Sequence, residues 1–207
     1  MIEFLKISDV VVTNVPFSLF REYISQLMDF NKNFIIMGNG NAVTYKEIFP
    51  LIKENKIWLG CTLFCGNMPY FRVSDETDIS FGHKHRYDRD GNILKQVNSI
   101  AWFTNIEHNK RHNLLKLDKI YNKDDYPVFD NHESINVSKT CDIPIDYDGL
   151  MAVPISFLDK FCPEQFEIIG IMTGTKGKYF INGNDGRAKF YLDGKGVYAR
   201  IIIKRKK

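Results

Sequence analysis

Cysteine is scarce. Cys61, Cys65, Cys141 and Cys162 are the only four in 207 residues, too few for a disulfide scaffold, so they read as reduced thiols and the setting as cytoplasmic. Long apolar runs are lacking as well. No stretch comes near the roughly 20 consecutive apolar residues that span a bilayer. Residues 1 to 20 have no basic start followed by an apolar core and a small-residue cleavage site, so neither membrane insertion nor secretion is expected. An excess of one charge is also missing: 28 basic against 25 acidic residues leave a formal net charge of +3, which by itself does not mark a nucleic-acid binder. No metal is expected either. Cys61, Cys65, His83 and His85 do not have the spacing of a zinc site, His108 and His112 flank Lys110 and Arg111 like a basic surface, and Asp142, Asp146 and Asp148 stand among turn residues. No internal repeat or low-complexity tract appears.

What is present is a globular composition, 44% hydrophobic and 26% charged, enough for one substantial core with an appended region. Asp9 precedes three valines, a β-branched run suited to a strand covered on both faces. Leu19, Phe20, Tyr23, Ile24, Leu27 and Met28 then recur at helical spacing, with Ser18 as a candidate N-cap. Residues 34–37 read as a second buried strand, punctuated by Gly38-Asn39-Gly40-Asn41. Thr44 and Glu47 form a capping-box pattern opening a helix to about Asn55, and residues 57–59 read as a third strand. Strand, helix, strand, helix, strand with short connections predicts a three-stranded parallel core in an α/β sheet. Residues 72–98 turn polar and predict a long loop or insertion. Residues 100–104 regain strand character, 105–149 are polar again, and 166–171 and 197–203 predict strands near the end.

The first strand ends at Asn14-Val15-Pro16-Phe17. Pro16 can neither donate to a ladder nor continue a helix, so this is an elbow at the carboxyl end of a strand, the edge where open α/β sheets bind ligands. An Asn oxygen, the carbonyl of a residue held extended by a following proline, and an adjacent aromatic together suit a planar amine. An ordinary turn from strand to helix is the competing reading. Basic residues cluster at His83-Lys84-His85-Arg86, at Lys110-Arg111-His112 and at the terminal Lys204-Arg205-Lys206-Lys207, where phosphate contact competes with a plain solvated surface. His83, Lys84, Arg86, Lys110 and Arg111 are the candidate DNA contacts, with Tyr70, Phe71 and Tyr87 as weaker aromatic candidates.

The blocks DVVVTNVPFSLFREYI, FIIMGNGNAVTYKEIFPLIKENKIWLG, IAWFTNIEHNKRH, DIPIDYDGLMAVPISFLDKF, FEIIGIM and VYARIIIKRK follow one another as they do in the EcoRI-type family of adenine-specific DNA methyltransferases, which the chain resembles from about residue 9 to its end. The resemblance implies catalytic roles for Asn14, Val15, Pro16 and Phe17: Asn14 and the Val15 carbonyl accept from the adenine amine and Phe17 stacks on a base flipped out of DNA. It also implies S-adenosylmethionine as methyl donor, DNA as partner, a restriction-modification setting, and a partial Rossmann-like methyltransferase sheet with polar loop insertions. On this reading residues 1–71 carry the catalytic-motif half of the core, 72–149 the polar insertions and candidate DNA-recognition region, and 150–207 strands completing the core.

Two departures qualify the resemblance. Val15 stands where the family has a proline, although its carbonyl is retained. A glycine-rich turn after a first strand, as such enzymes carry to approach the cofactor, is not found ahead of the elbow. Gly38 and Asn39 are the residues left to approach the cofactor, and they follow the next strand instead. The expectation is therefore an incomplete cofactor pocket, and a truncated enzyme or one needing a complementing chain on the exposed edge of the first strand. A catalytically silent DNA-binding remnant or subunit is the alternative, with a methyltransferase acting on RNA or on a protein glutamine as a further one.

Overall fold

The chain folds as a mixed α/β protein with several sheets, in a computed structural model that describes residues 2–62, 64, 70–73, 85–96, 100–173 and 189–206. The elements in order are α1 (Ile2–Ile7), β1 (Val10–Asn14), α2 (Phe20–Asp29), β2 (Asn33–Asn39), α3 (Phe49–Lys53), β3 (Trp58–Leu59), β4 (Tyr70–Arg72), β5 (His85–Tyr87), β6 (Ile93–Gln96), β7 (Ile100–Thr104), β8 (Val128–Phe129), β9 (His132–Asn136), β10 (Met151–Pro154), β11 (Phe166–Met172), β12 (Tyr191–Leu192), β13 (Lys195–Gly196) and β14 (Arg200–Arg205). They fall into two compact units. One holds residues 1–42 and 59–104, the other 43–58 and 105–207. The polar region from residue 72 to 149 is thus divided between them, because packing and not local polarity sets the division.

In the first unit β1 and β2 are parallel, with Val10 opposite Asn33 and Asn14 opposite Met37. Parallel neighbours need a crossover, and α2 supplies it, burying Phe20, Ile24 and Leu27 at i, i+4 and i+7 while Arg21, Glu22 and Ser25 stay exposed. A 3-10 turn over Phe17–Leu19 precedes the helix, so Leu19 and not Ser18 is its N-cap, without a side-chain cap. At the other end Asn31 takes a φ of 49°, the left-handed conformation that asparagine tolerates after a helix.

Two expectations for this sheet are corrected. The third strand beside β1 and β2 is not β3 but β7, which runs antiparallel to β2 with Ile36 opposite Phe103. β3 lies beyond β7, in the order β1-β2-β7-β3. The valine run is also not a central strand: β1 is the edge, and Val10 and Val12 are 45% and 68% exposed. A β-branched run states a preference for extended backbone and says nothing of which neighbours arrive. The expected helix from Thr44 fails as well. A 3-10 turn covers Gly40–Thr44 and α3 starts only at Phe49, since Pro50 is tolerated in a first helical turn and would break a helix already under way.

The interior of this unit is packed between α2 and β2-β7. Phe20 meets Phe103 with ring centres 4.9 Å apart, and the Thr104 hydroxyl donates to the Phe34 carbonyl at 2.6 Å. Gly38 lies directly under Phe20: a Cβ there would stand 2.4 Å from the ring.

The expected loop at 72–98 contains β5 and β6, which form a three-stranded antiparallel sheet β4-β6-β5 with β4 at its start. In the second unit a five-stranded sheet runs β11-β14-β10-β9-β8. β11 and β14 match the expected strands; β9 and β10 were not expected. These carboxyl-terminal strands build a sheet of their own and do not extend the β1-β2 sheet. β10 and β14 pair antiparallel, Ala152 opposite Ile202, and bury Met151, Ala152, Val153 and Ile201, Ile202, Ile203 on both faces. Phe129, Met172 and Phe190 pack on Ala152 and Ile202. Among the described residues no helix is long and apolar enough to cross a membrane.

Gly38→Ala is expected to destabilise the protein by about 1–3 kcal/mol, the usual cost of overpacking a filled core, because Phe20 is held between Phe103 and the sheet. A urea midpoint within error of the parent would show that the Phe20 ring moves aside freely.

Candidate active site

Asn14 ends β1 opposite Met37, and the antiparallel β7 sets Ile100 opposite Asn39 at the same edge. Between these strand ends lies an open cleft of about 390 Å³ lined by Asn14, Val15, Pro16, Phe17, Met37 and Ile100. Pro16 adopts φ −51° and ψ 132°, and its ring biases Val15 to the extended conformation. The Pro16 carbonyl accepts from the Leu19 N–H at 2.9 Å and the Phe17 carbonyl from the Phe20 N–H. These bonds tie the elbow to the start of α2. Among the described residues none hydrogen-bonds to the Asn14 side chain or to the Val15 carbonyl. Phe17 is 43% exposed.

The cleft lining carries no charged group. It offers an amide oxygen, a backbone carbonyl and an aromatic face, which suits a neutral planar ring bearing an amine and not a phosphate. The structure thus brings the four elbow residues together and adds Met37 and Ile100, which sequence reasoning missed. Only the strand register carries them to the elbow.

The remaining candidates are placed differently. Gly38 is filled by the Phe20 ring and Asn39 caps its own turn, its Oδ1 accepting from the Asn41 N–H at 2.8 Å, so both have local structural roles. His83 and Lys84 lie outside the described residues. Arg86 is exposed on β5, its guanidinium carbon 4.1 Å from the centre of the Tyr70 ring.

Lys110 and Arg111, expected as phosphate contacts, are both engaged within the protein. Arg111 is buried, stacks on Trp58 at 3.9 Å, pairs with Glu107 and donates to Asn55 at 3.1 Å. Lys110 pairs with Asp159 at 2.8 Å. Arginine's planar cation can satisfy a carboxylate and an aromatic face together, which draws it inward where a basic motif suggests a surface.

His112 bridges Glu164 at 2.8 Å and Glu107 at 2.9 Å. The hydrogen bonds to Glu164 and then Glu107 raise its pKa above the ordinary histidine value. Glu164, accepting from the Cys162 thiol and also bonded to His112, is held down at about 2. Among the described residues no group of His, Cys, Asp and Glu is arranged to hold a metal ion.

The family described as adenine-specific methyltransferase EcoRI matches residues 1–206, so the chain belongs to the EcoRI adenine-specific methyltransferase family. It is 47% identical over 208 residues to the type II methyltransferase M.EcoRI of Escherichia coli, covering all of this chain and 60% of that protein. It is 35% identical over 215 residues to the type II methyltransferase M.MpnI of Mycoplasma pneumoniae, covering 98% of this chain and 66% of the relative. A third relative, the type II methyltransferase M.MgeORF184P of Mycoplasma genitalium, is 35% identical over 218 residues, with 99% and 67% covered. The chain therefore spans about two thirds or less of the length of these relatives. No solved structure matches it.

The His112 bridge generates a pH dependence. A histidine pKa raised on folding contributes stability that is complete below about pH 6.5 and fades as pH rises through the folded value. The lowered Glu164 acts in the other direction: its contribution is present above about pH 4.5 and fades as pH falls toward 2. Resistance to urea should therefore peak between about pH 5 and 6.5 and decline on the alkaline side. His112→Gln should abolish that alkaline decline, and an unchanged profile in the variant would assign the decline to other groups.

Proposed function

We propose that the chain is the amine-holding part of an adenine-specific DNA methyltransferase of a restriction-modification system, with S-adenosylmethionine as methyl donor. The observation that carries this reading is the unengaged Asn14 side chain beside an exposed Phe17 on one uncharged cleft, in a chain of this family. In this role Asn14 Oδ1 and the Val15 carbonyl accept the two amine hydrogens of a flipped adenine. An exocyclic amine is a poor nucleophile because its lone pair is delocalised into the ring. Two acceptors favour the more pyramidal nitrogen of the transition state, and so stabilise it more than the ground state. Phe17 holds the base flat, a stack worth about 1–3 kcal/mol. Replacing the family's proline by Val15 leaves this acceptor in place, since the carbonyl belongs to the backbone.

The described residues do not fit a whole S-adenosylmethionine. The cleft lining has no carboxylate for a ribose and no glycine-rich turn for the methionine part, and Gly38 is occupied by Phe20. We place the missing contacts outside these residues, on further chain or on a complementing chain that meets the open edge of β1, where Val10 and Val12 are exposed. The β1-α2-β2 unit is then one part of a Rossmann-like methyltransferase sheet in a cytoplasmic enzyme. Residues 1–71 then carry the catalytic-motif half and 72–149 the DNA-recognition region, while 150–207 belong to the separate five-stranded sheet.

The test is single-turnover methyl transfer to duplex DNA, with the missing portion supplied, beside a DNA-binding isotherm. Asn14→Ala should lower the rate on the order of 10²–10³-fold, as loss of one preorganised group does at other polar transition states, while DNA affinity changes little. Phe17→Ala should slow transfer and Phe17→Trp restore it. Transfer left intact by Asn14→Ala would reduce the elbow to a turn, and DNA binding without transfer in any pairing would establish the silent subunit.

A further inference from the structure

Within the polar stretch between β3 and β7, residues 70–72, 85–87 and 93–96 form the β4-β6-β5 sheet, and none of them lines the cleft. The register sets Phe71, Lys95 and His85 in one row across the three strands. Tyr87, two residues after His85, shares that face, its ring edge-on to His85 at 6.2 Å. Phe71 is 49% exposed and Tyr87 62%. On the opposite face Arg86 lies over Tyr70. Large aromatics left in water beside cations are the composition of a nucleic-acid surface.

The turn joining β5 to β6 is firmly built. The Asp88 carboxylate accepts from the Asp90 N–H at 2.9 Å, from the Asn92 N–H at 2.8 Å and from Asn92 Nδ2, and Gly91 takes a φ of 80° that few other residues allow. Asp88 is thus spent inside the turn. Arg89 and Asp90 are exposed at its tip. Over residues 70–73 and 85–96, Arg72, His85, Arg86, Arg89 and Lys95 face only Asp88 and Asp90 as acidic residues. The sheet is also tethered to the cleft: four residue steps separate Gln96 from Ile100, a cleft-lining residue, and four steps span at most about 14 Å. That is about four base pairs of duplex at roughly 3.4 Å each.

We propose that the β4-β6-β5 sheet is a ribbon that grips duplex DNA within a few base pairs of the target base. The Phe71–His85–Tyr87 face packs on one wall of the groove, while Arg86 on the opposite face and Arg89 at the turn neutralise phosphates across the groove. The inference rests on the DNA reading given above and adds the surface that holds the duplex.

The experiment is a set of binding isotherms of the 207-residue chain with a labelled duplex oligonucleotide at 50 and 200 mM salt, with thermal melts as a control for folding. Arg86→Ala with Arg89→Ala should weaken binding at least about tenfold at low salt and reduce the slope of log affinity against log salt by about 2. Tyr87→Ala should weaken binding several-fold and leave the slope unchanged, because a ring releases no counterions. Lys53→Ala, an exposed change on α3, should alter neither. If the parent binds duplex and the ribbon variants match it in affinity and slope, the ribbon assignment fails while the DNA reading stands. If the parent binds no duplex at either salt, the DNA reading fails and takes the ribbon with it. Tighter binding to an RNA duplex, with the same losses in the variants, would overturn DNA as the occupant.

Discussion

The parallel pairing of β1 with β2 is the constraint on which the site depends. Parallel strands cannot be joined by a tight turn, so the chain leaving Asn14 must cross over the sheet before it returns at Asn33. The crossover starts at once, and the elbow is what remains between a strand that has ended and a helix that must begin. Close packing of that helix depends on Gly38, which lets Phe20 reach Phe103 across the sheet. With α2 seated, the Asn14 side chain and the Phe17 ring stay at the strand ends in contact with solvent. β7, antiparallel on the far side of β2, then closes the cleft with Ile100.

The absence of charge around the cleft sets its lining apart from the basic clusters of the sequence. Holding a neutral amine needs acceptors and a flat apolar surface, and a nearby cation would compete with the amine for those acceptors. Holding DNA needs cations at the spacing of phosphates. The cleft residues are uncharged, while the basic residues of β5 and its turn stand on a separate small sheet. Lys110, Arg111 and His112 are engaged within the protein. Their partners Asp159, Glu107 and Glu164 are carboxylates of the same unit, and the Trp58 ring covers the Arg111 guanidinium. A half-exposed histidine between two carboxylates joins residues far apart in sequence, 107 and 164, and does so most firmly when protonated.

Family membership and a cofactor site that the described residues do not complete are compatible facts, because the chain spans only part of its relatives' length. Among the described residues β1 is the edge of its sheet. Exposed Val10 and Val12 beside unpaired strand edge are a surface that proteins normally cover, and a strand laid there would also extend the sheet next to the elbow.

Local signals were legible wherever local physics decides. The β-branched run at Val10–Val12, the helical spacing of Phe20, Ile24 and Leu27, the break at Pro16 and the apolar runs of β7, β11 and β14 are properties of adjacent residues, and each appears where the sequence alone places it. The elbow was legible for the same reason, since proline restricts its neighbour wherever it stands. Its placement in a family needed only the order of the blocks. What depends on partners far along the chain was not legible. Val10 and Val12 read as buried, but burial is conferred by neighbours and β1 has one on a single side. The start of α3 yielded to Pro50, and β9, with its His-Glu-Ser start, became a strand only because β10 and β8 pair with it. Arg111 read as a phosphate contact because a basic residue shows its charge in sequence, while the carboxylate and ring that neutralise it come from elsewhere. Residue type and spacing thus determined the strand-elbow-helix and the chemistry it can offer. Tertiary structure alone decided which strand is the edge, what lines the cleft and which cations remain at the surface, because those depend on contacts between residues that the chain itself keeps far apart.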